Sequence, residues 1–201
     1  MASTAQKIID RTRPLLIDPD GVRWTDAELL RYASDAQRAI AALVPTETHT
    51  TAMLALAAGV RQSIPSTGLQ LLGVYRNQNG RSVRMVTRDV LDDNNPTWPT
   101  DTASATVVAF FPDPTDARAF YVYPANTGTG TVEVSYSVEP VDLAATSTAL
   151  SVRDIFIPAI TSYVMHMAHL KDSDYAGGAT LANQHMAEFS AFMSAQKVAV
   201  S

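Results

Sequence analysis

The sequence contains no cysteine, which removes disulfides, thiol nucleophiles and cysteine-held zinc from the chemistry open to it. Charge is also scarce: 17% of the 201 residues are charged, and the net charge is -5. No basic surface is available to neutralise phosphates, so binding to nucleic acid by electrostatic grip is excluded as a main activity. The longest apolar run, residues 52–60, is about half a membrane span and contains Gly59, too short for a transmembrane helix. The opening stretch "MASTAQKIIDRTRPLL" carries Lys7, Asp10, Arg11 and Arg13 where a secretion signal needs an uninterrupted apolar segment. The expectation is a soluble, intracellular product. Also missing are G-x-S-x-G, H-E-x-x-H, P-loop and G-x-G-x-x-G patterns.

What is present is periodicity, since 46% of residues are hydrophobic and one domain, with or without a sizeable insertion, can bury a core. In "RWTDAELLRYASDAQRAIAALVP", Thr25 and Glu28 have capping-box spacing, and Trp24 and Leu29 have the spacing of a hydrophobic staple. Leu29, Ala33, Ala36, Ile40 and Leu43 recur at helical steps and predict one apolar face. Opposite them, Glu28, Arg31, Asp35 and Arg38 alternate in sign. A shorter helix is expected over residues 5–16, and "DPDG" at 18–21 is a turn.

After Pro45 the period falls to two and stays β-like for nearly a hundred residues. In "TVEVSYSVE", Val132, Val134, Tyr136 and Val138 share one face, while Glu133, Ser135, Ser137 and Glu139 form an expected wet face. Residues 119–123 and 105–111 predict two more strands, the latter buried on both sides; all three are expected to form an antiparallel meander. Weaker strands are expected over 50–56, 60–64, 69–76 and 82–87. The excursion "DVLDDNNPTWPTD" is expected to be a solvated loop with one helical turn at its start. From Ser151 the helical period returns, with Asp154 as the expected N-cap because Pro158 then falls in the first turn. Phe156, Ile160, Val164, Met167 and Leu170 fall near one face. "KDSDYAGG" breaks this helix, and a last one is expected over 180–196, with Ala182, Met186, Phe189 and Met193 inward. The fold class is therefore α+β, a helical bundle (1–45 and 150–201) split in sequence by a long antiparallel β insertion (46–149).

Candidates for chemistry are few. His166 and His169, with His185 and Glu188, have spacings that suggest a metal site between helices. Helical angles turn His169 away from the Ile160–Met167 stripe and leave His166 on its flank, so no metal, cofactor or catalytic residue is assigned. Trp98, with Asn95 and Pro99, stands on the polar excursion, either as an anchor for a partner or a sugar or folded back onto the sheet. The tail, with Phe192, Met193, Lys197, Val198 and Val200, frays or docks into a neighbour; alternation of Val198 and Val200 favours docking by strand addition or in a groove.

The capped helix, "LAAGVRQSIPSTGLQLLGVYRN", "RDVLDDNNPTW" and "VRDIFIPAITSYVMHMAHLKDSDYAGGATLANQHMAEF" together resemble the head-to-tail adaptor (connector) proteins of tailed bacteriophages, the group that includes the T7-type tail tubular protein A. The similarity runs from Trp24 to Phe192, with AGxRQxxP at 58–65 and KDxxYAxxA at 171–179 as its most specific elements. It implies a structural virion protein that forms a ring, usually of twelve copies, between the portal and a tail nozzle or other neck protein, with DNA passing through the lumen. It brings no catalytic residues. The competing readings are a carbohydrate- or protein-binding β module and a histidine-based metalloenzyme.

Overall fold

The computed structural model describes residues 3–171 and 177–200, with side chains to Gln196. The chain forms two compact units, one of residues 1–48 and 140–201 and the other of 49–139. The helical unit thus also takes in 46–48 and 140–149, which the periodicity assigned to the β insertion.

The helical unit contains α1 (Gln6–Leu16), α2 (Asp26–Leu43), α4 (Ile157–Lys171) and α5 (Gly178–Val200). All four contribute to one apolar cluster, in which Ile8, Leu29, Ala33, Ala36, Ile40, Phe156, Ile160 and Val164 are fully buried. The stripe predicted on α2 is real but wider: Leu30 and Ala41 join it, whereas Leu43, at its end, is 45% exposed. Thr25 caps α2 by accepting a hydrogen bond from the Glu28 N–H at 3.3 Å. The Glu28 carboxylate serves a different purpose from the reciprocal half of a capping box, accepting from Lys171 Nζ at 2.8 Å and from Tyr32 Oη at 3.1 Å. The start of α2 is thereby tied to the end of α4, where Trp24 Nε1 also donates to the Ala168 carbonyl at 3.3 Å.

Segment 140–151 belongs with the helices because two buried polar side chains of α2 hold it there. Leu143 N–H donates to Ser34 Oγ at 3.0 Å and Ser151 N–H to Gln37 Oε1 at 2.7 Å. The same segment supplies the carbonyls of Thr146 and Thr148 to the otherwise unpaired Gln6 and Ala5 N–H groups at the start of α1, as a helix N-terminus requires. Asp154 is not the N-cap of α4. Its carboxylate accepts from Ser3 Oγ and Lys7 Nζ, and a 3-10 turn over Asp154–Phe156 leads into α4, with Pro158 in the first turn as expected.

The second unit holds β1 (His49–Ala55), β2 (Ala58–Ser63), β3 (Gly68–Asn77), β4 (Arg84–Met85), α3 (Arg88–Asn94), β5 (Ala109–Pro112), β6 (Ala119–Thr127) and β7 (Thr131–Val138). They form two sheets, ordered β1-β7-β3 and β2-β6-β5-β4. The expected meander is therefore broken: β5 and β6 pair antiparallel, but β7 pairs with β1 and β3. The crossing is built by Asn126, 1% exposed, whose Oδ1 accepts from the N–H groups of Gly128 and Gly130 at 2.8 and 3.1 Å. At Gly130 a Cβ would collide with the Ala105 carbonyl and the Asn126 amide. The wet face expected on β7 is dry at its centre, because this strand lies between two neighbours and its short Ser135 and Ser137 are buried. Phe110 and Phe111 of β5 do face two apolar clusters, one between the sheets and one under α3; this double burial agrees with the continuous apolar run.

Ile160→Ala removes a fully buried side chain from the bundle centre and is expected to cost about 2–5 kcal/mol, measured as a loss of helix signal at lower urea.

Candidate functional site

Two surface features are built with unusual care. The first is the turn that joins α1 to α2. Pro14 lies in the last turn of α1, and Ile17 follows with φ +53, a left-handed conformation that favours Gly or Asn and penalises a β-branched side chain. Asp18, 8% exposed, accepts from the N–H groups of Trp24, Val22 and Arg23 at 2.9, 3.0 and 3.2 Å. Arg13 donates to the Asp18 carbonyl at 2.9 Å and pairs with Asp26. Gly21, at φ +67, leaves room for that guanidinium, which a Cβ would strike. Held in this way, the turn projects Ile17 at 88% exposure and Val22 at 85%.

The second is an apolar groove of about 710 Å³ in the second unit, lined by Val60, Met85, Trp98, Pro99, Phe111 and Tyr121 among others. Sheet residues Val60, Phe111 and Tyr121 line it together with the Trp98–Thr100 3-10 turn, which with α3 folds over β5 instead of standing as a solvated loop. Trp98 is 5% exposed, edge-on to Phe111 at 5.7 Å, with Nε1 donating to Asp92 Oδ1 at 2.8 Å. Asp101 accepts from Asn95 Nδ2 at 2.6 Å and from Tyr123 Oη at 3.0 Å. The acidic residues of this stretch thus knit it together. Of the two readings open for Trp98, the structure has the indole folded back onto the sheet; Asn95 is half-buried within the same network, and Pro99 is exposed at the rim of the groove.

The other candidate residues fall apart from these. Phe192 is half-buried and edge-on to Phe156 at 5.9 Å, and Met193 is 4% exposed in the bundle core. Strand addition by the tail is overturned: the backbone from Met193 to Val200 continues α5, while the side chains of Lys197, Val198 and Val200 lie outside the described residues. The break expected at 171–178 falls between α4 and α5, with residues 172–176 outside the description.

The histidine geometry differs from the helical-wheel expectation. α4 is buried on two sides, so the direction away from its main stripe faces α5, and His166 and His169 are half-buried there. His166 Nδ1 lies 2.8 Å from the Ala182 carbonyl, and the His169 and His185 rings stack at 5.7 Å. His185 Nδ1 lies 2.9 Å from Glu188 Oε2. Among the described residues no group of three or more His, Asp or Glu is placed to hold a metal ion.

Sequence periodicity missed the residues that shape these features. Asp18, Asn77, Asn126 and Gln62 are buried polar side chains that replace backbone partners in loops. Asn77, for example, exchanges two 2.8 Å bonds with the backbone of Val107. The available signal was an Asn, Asp or Gln beside turn residues.

A rigidly presented apolar turn and an apolar groove are the equipment of a structural protein that works through contact with other proteins. The model of the SU10 adaptor protein family matches residues 3–201, and the chain belongs to this family of phage adaptors. The match takes in residues 3–23 and the last nine, which the resemblance read from motifs had left out. No curated protein matches the chain. Its role is therefore that of a structural head-to-tail adaptor of a bacteriophage virion.

Two outcomes follow. The Asp18 carboxyl is held below its usual 3.8, first by the Trp24 N–H and further by those of Val22 and Arg23 and by Arg13. A lowered value stabilises the fold above the usual value and stops doing so as pH falls through the folded one. Asp18→Asn is expected to lower the urea midpoint at pH 7, with the gap to wild type closing as the pH drops below 3.8. Trp98→Phe removes the bond to the Asp92 carboxylate and is expected to cost about 1.5–3 kcal/mol, against about 3–5 kcal/mol for Trp98→Ala, in the same assay.

Proposed function

We propose that this adaptor assembles as a ring, of twelve copies by analogy with the T7-type tail tubular protein A group, between the portal protein on the capsid side and a tail nozzle or other neck protein on the tail side. The ring continues the DNA channel, and the protein passes from the host cytoplasm during assembly into the neck of the virion. The single observation that carries this reading is the family match along residues 3–201. The split bundle is compatible with it, as is a surface that offers both a projecting turn and a groove, since a ring requires two different complementary patches on each subunit.

The acidic balance suits a conduit. Twelve copies at -5 sum to an assembly charge on the order of -60, a field that repels DNA and lets it slide without specific binding. Among the residues singled out from sequence whose side chains are described, Pro99 is the one on an exposed rim and the strongest candidate for partner contact. The others, Asn95, Trp98, Phe192 and Met193, act by supporting surfaces from beneath. A sugar-binding role draws no support from Trp98, whose ring is covered.

Purified protein mixed with its portal protein is expected to co-sediment and to give rings in electron micrographs. Absence of both association and rings would remove this reading.

A further inference from the structure

The Ile17–Val22 turn has no local reason for its composition. Asn or Gly at position 17 would relieve the left-handed backbone, and a side chain 88% exposed adds little to the core. Val22 repeats the pattern at 85% exposure. Meanwhile the carboxylate of Asp18 and the Arg13 guanidinium fix the loop backbone, so little backbone entropy remains to be lost when it docks. Between the two apolar residues stands the exposed acid Asp20.

The groove of the second unit is the complement. It is apolar where Val60, Met85, Pro99 and Tyr121 line it. Met85 lies 69% exposed on the two-residue edge strand β4. The charges that line the groove are already paired, Arg88 with Asp92 at 3.2 Å and Asp113 with Arg61 at 3.6 Å, and the exposed Arg84 stands next to Met85 in sequence. An apolar projection carrying a carboxylate thus meets an apolar trough with the Arg84 guanidinium close by in sequence, a match in polarity and in sign.

We propose that the turn of one copy seats in the groove of a second copy, with Ile17 and Val22 entering the trough and Asp20 facing Arg84. This rests on the assembly of copies proposed above, and it supplies a contact between two different patches of the kind that a closed ring needs.

The absence of cysteine makes the test clean. Two full-length variants, Ile17→Cys and Met85→Cys, are prepared separately and oxidised alone and mixed, at concentrations where the wild type associates or on portal protein. A disulfide-linked dimer in the mixture, with none in either variant alone, is the expected result. Self-linked dimers of a single variant would mean a two-fold contact and overturn the proposal, as would an intramolecular link in the double variant. If the wild type assembles but the mixture does not cross-link, this contact is wrong and the ring survives; if the wild type never associates, the ring reading falls too. Ile17→Asn separates contact from stability: its thermal midpoint should hold or rise, while association weakens by about tenfold or more. A variant that associates as well as wild type would refute the role of Ile17. Asp20→Arg should weaken association likewise, and combining it with Arg84→Glu should recover it; no recovery would remove the charge pairing.

Discussion

The fold depends on α2 and α4 burying their apolar faces against each other from opposite ends of a long inserted sequence. Neither can do so alone: a single amphipathic helix of this length is marginal in water and takes its stability from a packed partner. Leu29 and Ile40 on one side and Ile160 and Val164 on the other have no exposure to solvent in the shared cluster. Around that contact the polar ties fall into place. Lys171 reaches Glu28 and the Arg23 carbonyl, and Ser34 and Gln37 anchor the returning chain. The care taken at the start of α2 follows from this, since its first turn is where the two ends of the bundle are laced together.

For an adaptor, a rigid interior is a means to a rigid surface. Partners on either side of a neck require fixed contact points, and both features found here are fixed from beneath. The turn after α1 is held by a buried carboxylate, and the groove is floored by an indole locked between Phe111 and Asp92. Family membership and physical reading point the same way, toward a protein whose chemistry is recognition. Histidine, the residue most suggestive of catalysis in the sequence, is used here in the packing of α4 on α5.

Residue patterns made the helical half and the class of fold legible, because burial on one side of a helix writes a period into the sequence. Leu29, Ala33, Ala36 and Ile40 were readable in this way. Strands were legible in existence but not in partnership. β6 and β7 follow each other closely, yet they join different sheets, and the cause is the side chain of Asn126 acting in place of backbone. Patterns of apolar residues carry no record of such substitutions. The same blindness hid the role of Asp18, and helical angles measured from one face misjudged His166 and His169 because α4 has two. Trp98 could not be decided by sequence, since its burial depends on Phe111 and Asp92 reaching it from other elements.

One feature of the sheets bears on how such a chain can change over time. β1 and β7, the first and last strands of the second unit, lie side by side from the His49–Ser137 pair to the Ala55–Thr131 pair. The chain therefore enters and leaves this unit through two adjacent strands, at almost the same place. A change of length in the loops of the inserted segment therefore leaves its two ends at the spacing the β1–β7 pairing sets, so drift there need not pull the bundle's own chain apart.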